Sequence, residues 1–113
     1  ERALRLAEVA FGLNHPRVAI SVNNLGEVLR ALGELTEARE CFERALRIDE
    51  AALGPDHPNV ARDINNLGLV LKSLSDLAGA RQCYERALRI FTARLGAAHP
   101  HTALVRKNLA ALG

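Results

Sequence analysis

The amino-acid sequence predicts an all-α fold, a superhelical solenoid of antiparallel helix pairs. The first observation behind this prediction is an internal repeat, because the dipeptide His-Pro recurs every 42 residues, at His15, His57 and His99. Aligning residues 15–56 with residues 57–98 gives 24 identities in 42 positions. The second observation is that each unit carries two apolar patterns of helical period and none of strand period. One helix pair cannot bury its apolar face alone, so successive pairs are expected to stack.

Each unit is predicted to begin with a helix. In the first complete unit this helix runs from about Pro16 to Leu32. Its apolar side chains follow the i, i+4, i+7 spacing of one helix face: they are Val18, Val22, Leu25, Leu29 and Leu32. Proline suits the first helical turn, where no backbone N–H is needed, and Gly33 is expected to end the helix. The histidine of each His-Pro dipeptide is therefore interpreted as part of the turn at which a first helix begins.

The second helix is predicted from about Thr36 to Leu53, with Thr36 as its N-cap and Gly54-Pro55 as its stop signal. Its apolar stripe consists of Ala38, Phe42, Ala45 and Ala52. Small residues on both helices predict that the two backbones approach closely; these residues are Gly26, Gly68, Ala38, Ala45, Ala80 and Ala87.

Four segments make up the predicted array. Residues 1–14 are the second helix of a preceding repeat, residues 15–56 and 57–98 are complete repeats, and residues 99–113 are the first helix of a following repeat. Each terminal helix is predicted to expose apolar residues that the missing half of its repeat would cover. These residues are Ala3, Leu4 and Ala7 at the start, and Val105, Leu109 and Leu112 at the end. Because these two surfaces together make one repeat, we expect head-to-tail self-association of the chain.

Several positions of the repeat recur together in a known pattern. Leu25-Gly26, Leu29, Ala38, Phe42 and Ala45, repeated as Leu67-Gly68, Leu71, Ala80, Tyr84 and Ala87, resemble the tetratricopeptide repeat. The long period, with its Asn-Asn-Leu-Gly and Arg-Ala-Leu-Arg-Ile runs, is similar to the variant of kinesin light chains, nephrocystin-like proteins and bacterial signalling proteins. This resemblance covers essentially the whole chain and implies a right-handed superhelix with the first helices on its concave side. It also implies a scaffold for protein–protein interaction, although Val22 and Ile64 stand where the family usually has Trp.

The face of the first helix opposite its apolar stripe carries amides and basic residues, as derived at 100° per residue. These side chains are the candidates for a peptide-binding groove: Asn23, Asn24, Arg30, Arg62, Asn65, Asn66, Lys72, Lys107 and Asn108. Asparagine is a poor helix-interior residue, and its carboxamide can both donate to and accept from the backbone of an extended segment. The basic residues predict that such a segment is acidic.

Two alternatives stay open for these residues. Asn24 and its equivalents Asn66 and Asn108 can instead bond the backbone or a neighbouring helix. The basic residues can also be solvated side chains of an exposed helix face. We therefore expect a protein-interaction module that binds an extended acidic segment of a partner protein, and the alternative function is a structural spacer or self-association segment of a longer superhelix.

Other function classes are disfavoured. The net charge of +2 and the absence of groove aromatics argue against a nucleic-acid partner. No catalytic set or phosphate-binding loop is present, so we expect neither an enzyme nor a cofactor. Cys41 and Cys83 are expected to pack at a helix seam, and the repeated histidines lie too far apart to share a metal. No apolar run is long enough to span a bilayer, so we expect a soluble, cytoplasmic protein with no membrane partner.

Overall fold

The computed structural model describes residues 2–113 and all of their side chains except that of Phe11. Within that range the chain forms six α-helices and no strand: α1 (Arg2–Phe11), α2 (Pro16–Ala31), α3 (Leu35–Leu53), α4 (Pro58–Ser73), α5 (Leu77–Leu95) and α6 (Pro100–Ala110). Glu1, which the sequence assigns to the leading segment, lies outside the described residues. The helix order confirms the predicted all-α solenoid.

Each helix packs against its neighbours in sequence, and α2 also touches α4 across the intervening helix. This pattern gives two rows, with α2, α4 and α6 in one row and α1, α3 and α5 in the other. The molecule measures 41 × 30 × 20 Å along its principal axes. None of the helices in the described range has the length and apolar character needed to cross a membrane.

The His-Pro dipeptides begin the helices of the first row, as the sequence predicts. Nδ1 of each histidine accepts a hydrogen bond at 3.0 Å from the backbone N–H two residues later. This bond satisfies one of the N–H groups that a helix start leaves without an intrahelical partner. The proline that follows each histidine occupies the first helical turn.

The helices of the second row begin differently from the prediction. Thr36 is not an N-cap, because α3 already begins at Leu35 and its N-cap residue, Glu34, makes no side-chain capping bond. In α5 the N-cap is Asp76, whose Oδ1 accepts from the backbone N–H of Gly79 at 2.9 Å. The predicted stop is confirmed, since the C-cap residue Gly54 has a φ of 90°, which glycine adopts without a steric cost.

The core runs along the contacts between the two rows. Phe42 and Tyr84 are fully buried, and so are the four alanines that the sequence assigns to the close contacts. A Cβ on Gly26 would lie 2.8 Å from Cε1 of Phe42, and a Cβ on Gly68 would lie 2.6 Å from Cε1 of Tyr84. The predicted close approach is therefore confirmed, because each aromatic ring occupies the space that a side chain on the glycine would need.

Three outer positions of the predicted stripes do not belong to the core. Leu32 is 70% exposed, because it is the C-cap residue of α2 and lies beyond the last packed turn. Ala52 is exposed near the end of α3, and Ala3 is exposed on α1. The apolar stripes of α2 and α3 therefore end one turn earlier than the spacing alone predicts, whereas Ala3 is exposed at the start of α1 although its equivalents Ala45 and Ala87 are fully buried.

The terminal helices are covered differently from the expectation. Leu4 and Ala7 pack against Val18 and its neighbours on α2, and Val105 is fully buried in the main core. The prediction that these three residues need a helix absent from the chain is wrong, because they lie on the sides of α1 and α6 that face neighbouring helices of the chain. The open side of α1 instead carries Leu6, which is 60% exposed.

Candidate functional site

Side-chain amides connect the three helices of the first row. Nδ2 of Asn66 donates to Oδ1 of Asn23 at 2.9 Å, and Nδ2 of Asn108 donates to Oδ1 of Asn65 at 3.0 Å. In both bonds the donor is the asparagine just before the leucine of its helix, and the acceptor lies one residue earlier in the repeat, on the preceding helix of the row. We call these four residues the amide ladder. Its two equivalent bonds hold α2, α4 and α6 in one common register.

The amide ladder lies deeper than the rest of the predicted groove. Asn23, Asn65 and Asn66 are 4%, 6% and 9% exposed, whereas Asn108 is half-buried and Asn24 is exposed. Buried amides are nearly always hydrogen-bonded, and here the partner is the neighbouring helix. The structure therefore bears out the bonding to a neighbouring helix that the sequence left open for Asn66 and Asn108.

A cavity of about 290 Å³ opens beside the amide ladder. Its polar lining includes Glu27 of α2, Asn59, Arg62, Asn65 and Asn66 of α4, and His101 of α6, and its apolar wall includes Phe91, Leu104 and Val105. No hydrogen bond within residues 2–113 uses Oδ1 of Asn66 or Nδ2 of Asn65. An acceptor and a donor of adjacent residues are therefore left for a ligand at the cavity.

The predicted basic residues fall into two groups. Arg30, Lys72 and Lys107 are exposed in the last turns of α2, α4 and α6. None of the three belongs to an ion pair of the described residues. Arg62 is different, because its guanidinium lies 3.2 Å from Oδ1 of Asp63 and 3.5 Å from Oδ2 of Asp49. The structure thus brings Arg62, Asn65 and Asn66 to the cavity and leaves the other cations outside it.

Two buried carboxyl groups lie behind Arg62, and the sequence analysis missed them. Asp63 of α4 is fully buried and Asp49 of α3 is 1% exposed. Burial, together with the hydrogen bond and negative charge of Asp49, raises the pKa of Asp63 to about 9, while Arg62 opposes this rise. Asp63 therefore carries a proton at neutral pH. A signal was present in the sequence, because the residues equivalent to Asp63 in the other repeats are Ser21 and Val105.

The apolar wall of the cavity was also missed by the sequence analysis. Phe91 comes from the second row of helices, and its ring centroid lies 5.6 Å from that of His101. At the position equivalent to Phe91 in the preceding repeat stands Asp49, so the repeat pattern gave no reason to expect an aromatic residue there.

The cysteines and histidines do not form a reactive or metal-binding cluster. Cys41 and Cys83 are half-buried free thiols. Cys83 packs against the main core, and Cys41 packs against a smaller group of buried residues around Val18. Burial raises the pKa of Cys83 to about 11 and also raises that of Cys41, so both are protonated and poorly nucleophilic near neutral pH. From Arg2 to Gly113, no group of three or more His, Cys, Asp or Glu side chains is placed to hold a metal ion.

Comparisons with known proteins agree with this architecture. A family model described as "Tetratricopeptide repeat" matches residues 17–93 and residues 63–112. Among solved structures, the chain is similar to the kinesin light chain BtubC (BKLC) from P. vanneervenii, with 27% identity and a TM-score of 0.80. The match covers 85% of this chain and 38% of that protein, so the chain spans well under half of its length. The comparison with curated proteins gave no match.

Proposed function

Because this chain belongs to the tetratricopeptide repeat family, we propose that it is an interaction module that binds an extended, acidic peptide segment of a partner protein. The array is of the kinesin-light-chain type, as the sequence predicts. Repeats of this family generally mediate protein–protein interaction and are typically non-enzymatic scaffolds. The proposed binding surface is the concave face of α2, α4 and α6, with the cavity beside the amide ladder at its centre.

The observation that carries the proposal is the pair of amides at the cavity. Asn65 and Asn66 each use one polar group within the amide ladder, which leaves Nδ2 of the first and Oδ1 of the second without an intrachain bond in the described part of the chain. A peptide backbone offers carbonyl acceptors and N–H donors in alternation. One donor and one acceptor on adjacent residues therefore suit the backbone of an extended segment, whatever its side chains.

The acidic character of the segment rests on the cations outside the cavity. Arg30, Lys72 and Lys107 lie in the last turns of three neighbouring helices, and no acidic side chain of the described residues pairs with them. Arg62 contributes less to this preference, because Asp49 and Asp63 already pair with it. Acidic side chains of a ligand are therefore expected over the carboxyl-terminal turns of α2, α4 and α6 rather than inside the cavity.

The test uses an array of ten-residue acidic peptides, each matched with an analogue in which every Asp and Glu is replaced by Asn and Gln. We expect binding of acidic members only, with an affinity that falls as salt rises. The double variant Lys72→Glu with Lys107→Glu should abolish binding. The matched control is Arg47→Glu with Arg89→Glu, which makes the same charge change at exposed positions of α3 and α5 and should leave binding intact. Loss of binding in the control alone contradicts the proposal.

A spacer or self-association segment is the second candidate, and the open side of α1 favours it. Leu6 is 60% exposed, whereas its equivalents Ile48 and Ile90 are each 4% exposed because α2 and α4 cover them. A further helix in a longer superhelix, or a second copy, would bury Leu6 in the same way. Light scattering over a concentration series distinguishes these outcomes, since only self-association by this side makes the mass depend on concentration and on Leu6→Lys.

We also propose that the protein works in the cytoplasm. The free thiols of Cys41 and Cys83 support this location, because reducing compartments keep cysteines unpaired. Fractionation of the native host cells tests it, and recovery of the protein outside the cytoplasmic fraction would contradict it.

A further inference from the structure

The amide ladder does not distinguish one repeat from another. Its two bonds join equivalent residues, so Asn108 would find on Asn23 the same acceptor that Asn66 uses. The contacts between each glycine and its aromatic ring lie within a single repeat. All these contacts would survive if helices of different repeats were joined in the wrong order, so they do not determine that order.

A different set of residues closes the junction of α3 with α4, where one repeat meets the next. Asp49 of α3 and Asp63 of α4 are 1% and 0% exposed. The guanidinium of Arg62 lies 3.2 Å from Oδ1 of Asp63 and 3.5 Å from Oδ2 of Asp49. We call these three residues the ionic trio.

The positions of the ionic trio are occupied differently at the other two junctions. At the junction of α5 with α6 the equivalent residues are all apolar: Phe91, Leu104 and Val105. Phe91 and Val105 are buried in the main core, and Leu104 lines the cavity beside them. At the junction of α1 with α2 the equivalent residues are uncharged and line one cleft: Ala7, Ile20 and Ser21. The ionic trio therefore marks one junction of the three.

A buried ionic group adds little to stability, because apolar residues of similar volume often serve as well. Its cost appears when the partner is wrong. If α3 packed against α6, Leu104 and Val105 would stand opposite Asp49, whose carboxylate would be buried without its guanidinium. If α5 packed against α4, the ring of Phe91 would replace that carboxylate, and Arg62 would lose its charged partner. A buried charge left unpaired disfavours an arrangement by about 100-fold or more.

From this difference we propose that the ionic trio determines which helices pair, by preventing unequal exchange of repeats between two copies of the chain. In such an exchange α3 of one copy packs against α6 of the other, and α5 of the other packs against α4 of the first. One resulting array lacks a repeat and the other has one too many. The two complete repeats share 24 identities in 42 positions, and misassembly is a characteristic failure of chains built from such units.

The test makes the junctions alike in the full chain. One variant gives α3 and α4 the residues of the α5–α6 junction, by Asp49→Phe, Arg62→Leu and Asp63→Val. A second gives them the smaller residues of the α1–α2 junction, by Asp49→Ala, Arg62→Ile and Asp63→Ser. The control keeps the ionic trio and makes matching changes at three exposed positions: Glu40→Phe, Asp56→Val and Arg89→Leu.

Each chain is refolded from urea over a range of concentrations. Light scattering after size exclusion gives the ratio of dimer to monomer. The chain has one tyrosine, Tyr84 of α5, so a ¹³C-labelled tyrosine ring reports how many environments α5 occupies. Exchange in the correct order gives one set of ring signals, whereas unequal exchange gives a second set.

We expect both variants to unfold cooperatively, with a dimer-to-monomer ratio about 100-fold above that of the native chain and a second set of tyrosine signals. The native chain and the control should each give one set. Monomers with one set of signals in both variants overturn the proposal, and so do dimers with one set, because exchange would then keep the correct order. The same dimer in the control assigns association to added apolar surface and also overturns it. Loss of cooperative unfolding in both variants overturns it as well, since the ionic trio would then be needed for stability rather than for pairing.

Discussion

Nδ2 of Asn66 donates a hydrogen bond to Oδ1 of Asn23 at 2.9 Å, although the two residues are 43 positions apart in the chain. The same bond forms one period later between Asn108 and Asn65. Apolar side chains can slide past one another at small cost, whereas a buried amide pair is satisfied at only one relative position of the two helices. The amide ladder therefore fixes how far each first helix is displaced from the last, and with it the relative positions of α2, α4 and α6.

Replacing Asn66 with alanine should therefore destabilise the chain. The substitution leaves Oδ1 of Asn23 buried without its donor, and the free energy of unfolding should fall by about 1–3 kcal/mol. Urea denaturation measures this change. The control is Asn24→Ala at the equivalent, exposed position, where an effect within about 0.5 kcal/mol is expected. Equal effects at the two positions would mean that helix propensity, not the ladder bond, sets the cost.

A methyl group on Gly68 should also be destabilising, although alanine is the better helix former. Its Cβ would lie 2.6 Å from Cε1 of the fully buried Tyr84, so α4 and α5 would have to move apart. We expect Gly68→Ala to lower the free energy of unfolding by about 1–3 kcal/mol, the usual cost of overpacking a core. Thermal denaturation measures this change. The control is Ser73→Ala, at an exposed position of the same helix. Stabilisation by Gly68→Ala would show that the aromatic ring adapts without cost.

Most of the fold could be predicted from the sequence because it depends on local patterns. The His-Pro turns, the apolar spacing and the small residues at Gly26 and Gly68 each act within one helix or one helix pair, and a repeat shows every such contact more than once. The bounds of the helices were less predictable. The N-cap assigned to Thr36 was wrong, because α3 gains its first turn from Leu35 without any side-chain cap.

The candidate site was only partly predictable, since it depends on how one helix is rotated against the next. A helical wheel assigns Asn65 and Asn66 to the face of α4 opposite its apolar stripe. It cannot show that Asn66 lies against Asn23 of another helix. Two residues near the cavity also occur in only one repeat of the array. Asp63 and Phe91 replace residues of different chemistry in the neighbouring repeats, so the periodicity marks both positions as exceptions but does not show which groups their side chains contact.

The hydroxyl of Tyr84 gives a prediction in the stabilising direction. Its oxygen is among the buried side-chain atoms that lack a hydrogen-bond partner in the described chain, and Phe42 occupies the equivalent position with no hydroxyl at all. Burial of an unpaired hydroxyl is unfavourable, so Tyr84→Phe should raise the free energy of unfolding by about 1 kcal/mol. Urea denaturation measures it beside Tyr84→Ala, which should lower stability by about 3–5 kcal/mol. Destabilisation by Tyr84→Phe would reveal a partner for the hydroxyl.

The buried pair of Asp49 and Asp63 predicts an unusual dependence of stability on pH. Burial raises the pKa of Asp63 to about 9 in the folded chain, whereas an aspartate in an unfolded chain has a pKa of about 3.9. Between these values the folded chain holds a proton that the unfolded chain has lost. The free energy of unfolding should therefore decrease as the pH rises through this range, with a slope approaching one proton, and the decrease should end above about pH 9.

Asp63→Asn should remove this slope, because a carboxamide of the same size does not titrate and can still donate to Asp49. The free energy of unfolding of the variant, relative to that of the native chain, should increase as the pH rises. At pH 8 the variant should be the more stable of the two. Urea denaturation from pH 5 to pH 9 measures both curves, and Asp56→Asn, at an exposed position in the turn after α3, is the matched control. If the native and Asp63→Asn curves run parallel across this range, Asp63 holds no proton in the folded chain, and Arg62 must then compensate two buried negative charges.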